Sequence, residues 1–81
     1  MKVKLLFFTT PTCSLCKVIK NNIEKGMYEN LDIHTLSIET KDDFLICVKH
    51  GVRSFPSIVN KETKQVIVGQ LNCLQYLEEV N

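Results

Sequence analysis

The sequence has no surplus of charge of either sign: ten Lys and Arg stand against nine Asp and Glu, a formal net charge of +1. That balance removes any general electrostatic drive toward nucleic acid or an anionic membrane surface, so electrostatic recognition must be local. The chain also lacks an apolar run of the roughly 20 residues that a membrane-spanning helix needs. Its first segment, "MKVKLLFFTTPT", carries two lysines ahead of an apolar stretch. That stretch is only about five residues long, short of the roughly 7 to 15 of a secretory h-region, and Thr and Pro follow it. A cytoplasmic location is therefore expected, and with it disulfides that are transient or catalytic. No internal repeat, low-complexity tract or linker is visible. The 81 residues leave room for one domain, 1–81, and the 44% hydrophobic content gives it a core.

What is present reads as alternating strands and helices. Val3 to Thr9 becomes apolar on both sides through Leu5, Leu6, Phe7 and Phe8, the pattern of a central strand covered on both faces. Thr12 is placed to cap a helix from about Cys13 to Met27, with Leu15, Ile19, Ile23 and Met27 as its apolar stripe. Leu31 to Glu39 reads as a second strand. Thr40 then starts a helix through about His50, with Gly51 just past its end and Phe44, Leu45, Cys47 and Val48 on its buried side. A short strand from Ser57 to Asn60, the polar turn "KETK" and the strand "QVIVG" follow. Asn72 opens the last helix, Gln75 completes a capping box, and Leu74, Leu77 and Val80 face inward. The order β-α-β-α-β-β-α predicts an α/β fold: a parallel pair joined by a crossover, a hairpin, and a four-stranded mixed sheet flanked by three helices.

The chemistry concentrates in "TTPTCSLCK", which places Cys13 and Cys16 three residues apart after the first strand. On helix geometry their Cα atoms lie about 5 Å apart, inside the roughly 4.4 to 6.8 Å range of a disulfide. Cys13 falls in the first turn, where free backbone N–H groups and the helix dipole stabilise a thiolate, and Cys16 lies one turn in. Cys13 is therefore expected to attack and Cys16 to resolve. Lys17 reads either as a nearby positive charge or as a solvated helix residue. The hydroxyls of Thr9, Thr10, Thr12 and Ser14 read either as donors to the thiolate or as loop and capping groups. The pair is also half of a zinc site, but Cys47, Cys73, His34 and His50 are scattered singly, whereas the strand-then-helix context favours redox use.

Two separated motifs resemble the thioredoxin and glutaredoxin superfamily, across nearly the whole chain. "FTTPTCSLCK" is similar to the glutaredoxin strand, Pro-containing loop and CxxC, and "HGVRSFPSIV" is similar to the thioredoxin segment running through its cis-proline. The resemblance implies a minimal thioredoxin-like fold and a cis Phe55-Pro56 bond beside the cysteine pair. Phe55 main chain would then pair with an extended substrate, and Gly69 would stand close to the substrate groove. It adds Thr12, Ser14 and Leu15 to the expected substrate-binding set. Glutaredoxins commonly carry a lysine where this chain has Thr10, an aromatic where it has Leu15, and a Gly-Gly-x-Asp-like segment where it has "GQLNC". Thioredoxins carry a buried acid where this chain has Phe7, and this chain has no tryptophan. These departures shift the expected electron donor from glutathione to a thioredoxin-reductase-like flavoenzyme.

The expectation is thus a monomeric protein-disulfide reductase acting by dithiol exchange, with no cofactor of its own and no nucleic-acid or membrane partner. A metal-carrying module is the alternative. "TPTCSLCK" is also similar to the Thr-Cys-x-x-Cys of small copper-carrying domains, whose thiolates suit Cu(I), though those run β-α-β-β-α-β; a bridging iron-sulfur cluster is a third option. Among the remaining candidates, Cys47 reads as a small core hydrophobe. Cys73 reads as structural or, near a helix start, as a thiol of lowered pKa. His34 reads as a strand surface residue and His50 as a partner of its helix C-terminus. Arg53 reads as a contact for acidic substrates or as a solvated loop residue.

Overall fold

The computed structural model describes residues 2–81. Val3–Thr9 forms β1, Ser14–Glu24 α1, Leu31–Ser37 β2, Lys41–His50 α2, Ser57–Asn60 β3, Val66–Val68 β4 and Gln70–Val80 α3. The strands make one sheet in the order β2-β1-β3-β4. β1 runs parallel to β2 and antiparallel to β3, and β3 runs antiparallel to β4. The expected element order and mixed sheet are therefore present.

β1 is central because both its faces are apolar. Leu5 and Phe7 pack with Cys16, Ile19, Cys73 and Leu77, which places α1 and α3 on one side of the sheet. Leu6 and Phe8 pack with Cys47 and Val52, which places α2 on the other. The β3–β4 turn is organised by Asn60, whose Oδ1 accepts from the N–H groups of Glu62 and Thr63 at 2.9 and 3.1 Å. Its Nδ2 donates to the Tyr76 hydroxyl at 2.9 Å, tying the hairpin to α3.

The helices differ in detail from the sequence reading. Thr12 is not the cap of α1; Cys13 is, and the helix proper runs only from Ser14 to Glu24. Leu15 and Met27, expected to be inward, are 54% and 52% exposed. A four-residue spacing advances 400° per step, so Leu15 lies about 80° round the helix from Ile23, while Met27 falls beyond the last helical residue, Glu24. Cys16, Ile19 and Ile23 span only about 60° of arc, and these three pack against the sheet.

In α2 the expected boundaries hold: Thr40 caps in a capping box with Asp43, and Gly51 ends the helix at φ 74°. Its inward side does not hold. Phe44, Leu45 and Val48 are exposed, and only Cys47 of the expected set is buried, with Ile46 packed beside it. α3 starts at Gln70 rather than Asn72, with Gly69 as its N-cap residue. Asn72 does not cap it; its Nδ2 donates to the Val68 carbonyl at 2.9 Å. Among the described residues, no helix is long and apolar enough to cross a membrane.

Candidate active site

β1 ends at Thr9, and the chain turns through Thr10, Pro11 and Thr12, closed by the Cys13 N–H donating to the Thr10 carbonyl at 3.2 Å. Cys13 is extended (φ −83°, ψ 100°), as an N-cap must be, and its Sγ accepts from the Cys16 N–H at 3.2 Å. Cys13 and Cys16 are joined in a disulfide, with Cα atoms 5.3 Å apart. The two sulfurs are unequal. Cys13 is half-buried, whereas Cys16 is 1% exposed beneath it, inside the α1–α3 side of the core.

Two further segments meet this helix start. The Phe55–Pro56 peptide bond is cis; Pro56 is buried, and Phe55 packs against the same cluster as Cys13 and Cys16. The Gly69 N–H donates to the Pro56 carbonyl at 3.0 Å, and Gln70 Nε2 donates to the Leu15 carbonyl at 3.3 Å. Gly69 adopts φ 96°, a region that favours glycine, where it passes from β4 into α3. Leu15 and Pro56 are thus tied to adjacent residues, Gln70 and Gly69, and Phe55 packs on the cluster that holds the disulfide.

Thr12 and Ser14 sit exposed on either side of Cys13. The donor to the Cys13 sulfur is the Cys16 amide, while the Thr9 hydroxyl donates to the Thr10 carbonyl at 3.4 Å. The sequence reading missed Gln70, whose side chain links α3 to α1. No local pattern marks Gln70, because its partner lies 55 residues away in the chain.

Of the other candidates, Cys73 adjoins this assembly, packed in the same cluster as Cys16 with its Sγ 3.9 Å from the Pro56 carbonyl. Cys47 and Cys73 are free and buried. Burial raises both thiols, Cys47 with a further push from Asp43, and Cys73 to about 11. The option of a lowered pKa at Cys73 is overturned: it lies inside the packed core, with its Sγ 3.5 Å from the Ile67 carbonyl. His34 is exposed on β2. His50 does sit in the last turn of α2, with its ring 6.0 Å from that of Phe8. Partial burial, then Lys49, Lys64 and Lys61, hold its pKa below the ordinary value, which disfavours the charged form suited to a helix C-terminus. Arg53 is exposed beside Phe44 and Val48. Among the described residues, no group of three or more His, Cys, Asp or Glu side chains could hold a metal ion.

No family model matches the chain. Across 95% of its length it is 31% identical to NADPH-dependent thioredoxin reductase 3 of Arabidopsis thaliana, and it spans about 15% of that protein. A solved structure described as that of a malarial protein matches 99% of this chain and 98% of its own, with a TM-score of 0.62 and 18% identity. A crystal structure of a thioredoxin-like protein matches 90% of this chain and 97% of its own, with a TM-score of 0.60 and 21% identity. The chain has the thioredoxin-like fold, with a CxxC disulfide at the start of α1 that supports a redox-related role.

Proposed function

We propose that the protein is a thiol-disulfide oxidoreductase that reduces disulfides of other proteins. The observation that carries this reading is the inequality of the two sulfurs: Cys13 is accessible at a helix N-cap, and Cys16 is buried within bonding reach beneath it. In the reduced protein the Cys13 thiolate is stabilised by the free N–H groups of the first turn. It attacks one sulfur of the substrate disulfide; a mixed disulfide forms, and the other substrate sulfur leaves as a thiolate that takes a proton from water. Cys16, having lost its proton, then attacks Sγ of Cys13, and the second substrate thiol departs. Two electrons pass to the substrate, and the Cys13–Cys16 disulfide remains.

Regeneration needs two electrons, supplied by one dithiol or by two monothiols. Similarity to a thioredoxin reductase favours a flavoenzyme of that kind, fed by NADPH, over glutathione. Thr10 and Leu15, at positions where glutaredoxins contact glutathione, point the same way. We place the protein in the cytoplasm, acting as a monomer on protein clients.

Reduction of insulin disulfides with a dithiol as electron source tests the reaction. Wild-type protein is expected to turn over and Cys13→Ser to be inactive; full activity in Cys13→Ser would refute the assignment. Reduction of the oxidised protein by thioredoxin reductase with NADPH, compared with reduction by glutathione, tests the donor.

A further inference from the structure

The sheet face beneath α1 changes character along β2. The register pairs Leu5 with Ile33, Phe7 with Thr35 and Thr9 with Ser37. Leu31, Ile33, Thr35 and Ser37 therefore point to the same side as Leu5 and Phe7, the side that carries α1 and α3. Leu31 and Ile33 join the core there, whereas Thr35 and Ser37 are exposed. Two hydroxyl residues replace the apolar pair that would continue this face. Here the structure has a groove of about 280 Å³, lined by Cys13, Lys17, Lys20, Thr35, Ser37 and Glu39 among others. Lys17 and Lys20 are three apart on α1 and so project from neighbouring positions. The charged side chains of the groove are two cations and one carboxylate. Leu15, Pro56 and Gly69 do not line it.

We infer that this groove receives an acidic side chain of the polypeptide substrate, close in its sequence to the cysteine that Cys13 attacks. This rests on the thiol-disulfide reading above. A carboxylate in the groove meets two ammonium groups and the Thr35 and Ser37 hydroxyls, all able to donate to it. Cys13, which carries the reacting sulfur, lines the same groove. A polypeptide fits better than a free small acid because β2 is an edge strand of the sheet. The main chain of such an edge can be paired by an extended segment. Protein disulfides flanked by Asp or Glu are therefore the preferred clients.

The test uses two disulfide peptides that differ only in Glu or Gln beside the reactive cysteine, with kcat/KM measured for the reduced 81-residue chain at low ionic strength. The wild type is expected to favour the Glu peptide by about 3- to 5-fold, the scale of an exposed ion-pair contribution. Lys17→Gln/Lys20→Gln should reduce the ratio to near one, and Glu39→Gln should raise it. Because each ratio is taken within one protein, any effect of Lys17 on the reactivity of Cys13 cancels. Equal rates for the two peptides in the wild type, or a preference that survives the double substitution, would overturn the inference. A small dicarboxylate disulfide and its diamide form a further arm; a preference confined to that pair would overturn the polypeptide assignment. If the Gln peptide is not reduced at all, the oxidoreductase reading itself fails. If it is reduced without a Glu preference, only the groove assignment falls.

Discussion

The backbone N–H of Cys16 donates to Sγ of Cys13 at 3.2 Å, so the sulfur occupies the place that a Ser, Thr or Asp oxygen usually takes at a helix start. One contact thereby serves two ends. It satisfies an otherwise unpaired donor of α1, and it brings a partial positive charge to the atom that would carry a negative one in the proposed exchange.

Cap and chemistry are separable by substitution. Cys13→Ser and Cys13→Ala should both be inactive in disulfide reduction, and both lack the Cys13–Cys16 bond. The serine variant can still accept from the Cys16 amide, so it should be more stable than the alanine variant by about 1 kcal/mol in urea denaturation. Equal stability of the two would show that the cap contributes nothing.

In the proposed mechanism, burial of Cys16 at 1% exposure confines it to the resolving role. Cys16→Ser should still react through Cys13 and then stall, accumulating a protein–substrate mixed disulfide visible by mass spectrometry and released by dithiothreitol. A variant that turns over substrate like the wild type would rule out resolution by this residue.

Cys73 gives a pH signature. Its thiol is pushed up to about 11 by burial, above the ordinary range near 8.5 of an unfolded cysteine. The folded state therefore holds a proton that the unfolded state has lost between those values, and stability falls with rising pH across that window. Chemical denaturation of wild type and Cys73→Ala from pH 8 to 11 should show a steeper decline in the wild type. Alkylation of the reduced native protein should label Cys13 first, and Cys73 only after unfolding.

On α2, the side chains that look most apolar are not the ones that hold it in place. Val48→Thr should change stability by less than about 0.5 kcal/mol, as expected of an exposed position. Thr40→Ala should cost about 1 kcal/mol, because it removes the acceptor of the Asp43 N–H bond. Paired urea melts would reveal the reverse order if the outward apolar face were packed.

These contrasts follow the line between local and distant information. Thr40 and Gly51 delimit α2 legibly because a cap and a left-handed C-terminal residue act on backbone within a few positions of themselves. The rotation of the same helix is hidden. Phe44, Leu45 and Val48 outweigh Ile46, Cys47 and His50 in hydropathy, yet the second set faces the sheet. Just past the helix the Val52 N–H bonds to the Cys47 carbonyl at 2.8 Å, and Val52 is buried in the same cluster as Cys47.

For the site, the sequence by itself determined that Cys13 and Cys16 can be bridged and that they stand where a strand hands over to a helix, since spacing and turn chemistry are properties of neighbouring residues. The β-α-β-α-β-β-α order was legible for the same reason. Only the tertiary structure decided that Gln70 reaches Leu15, and that Thr35, Ser37, Lys17 and Lys20 share a groove with Cys13. Those relationships join residues from separate elements. They depend on how the β1–β2 register and the docking of α1 and α3 bring distant side chains together, which no local pattern encodes.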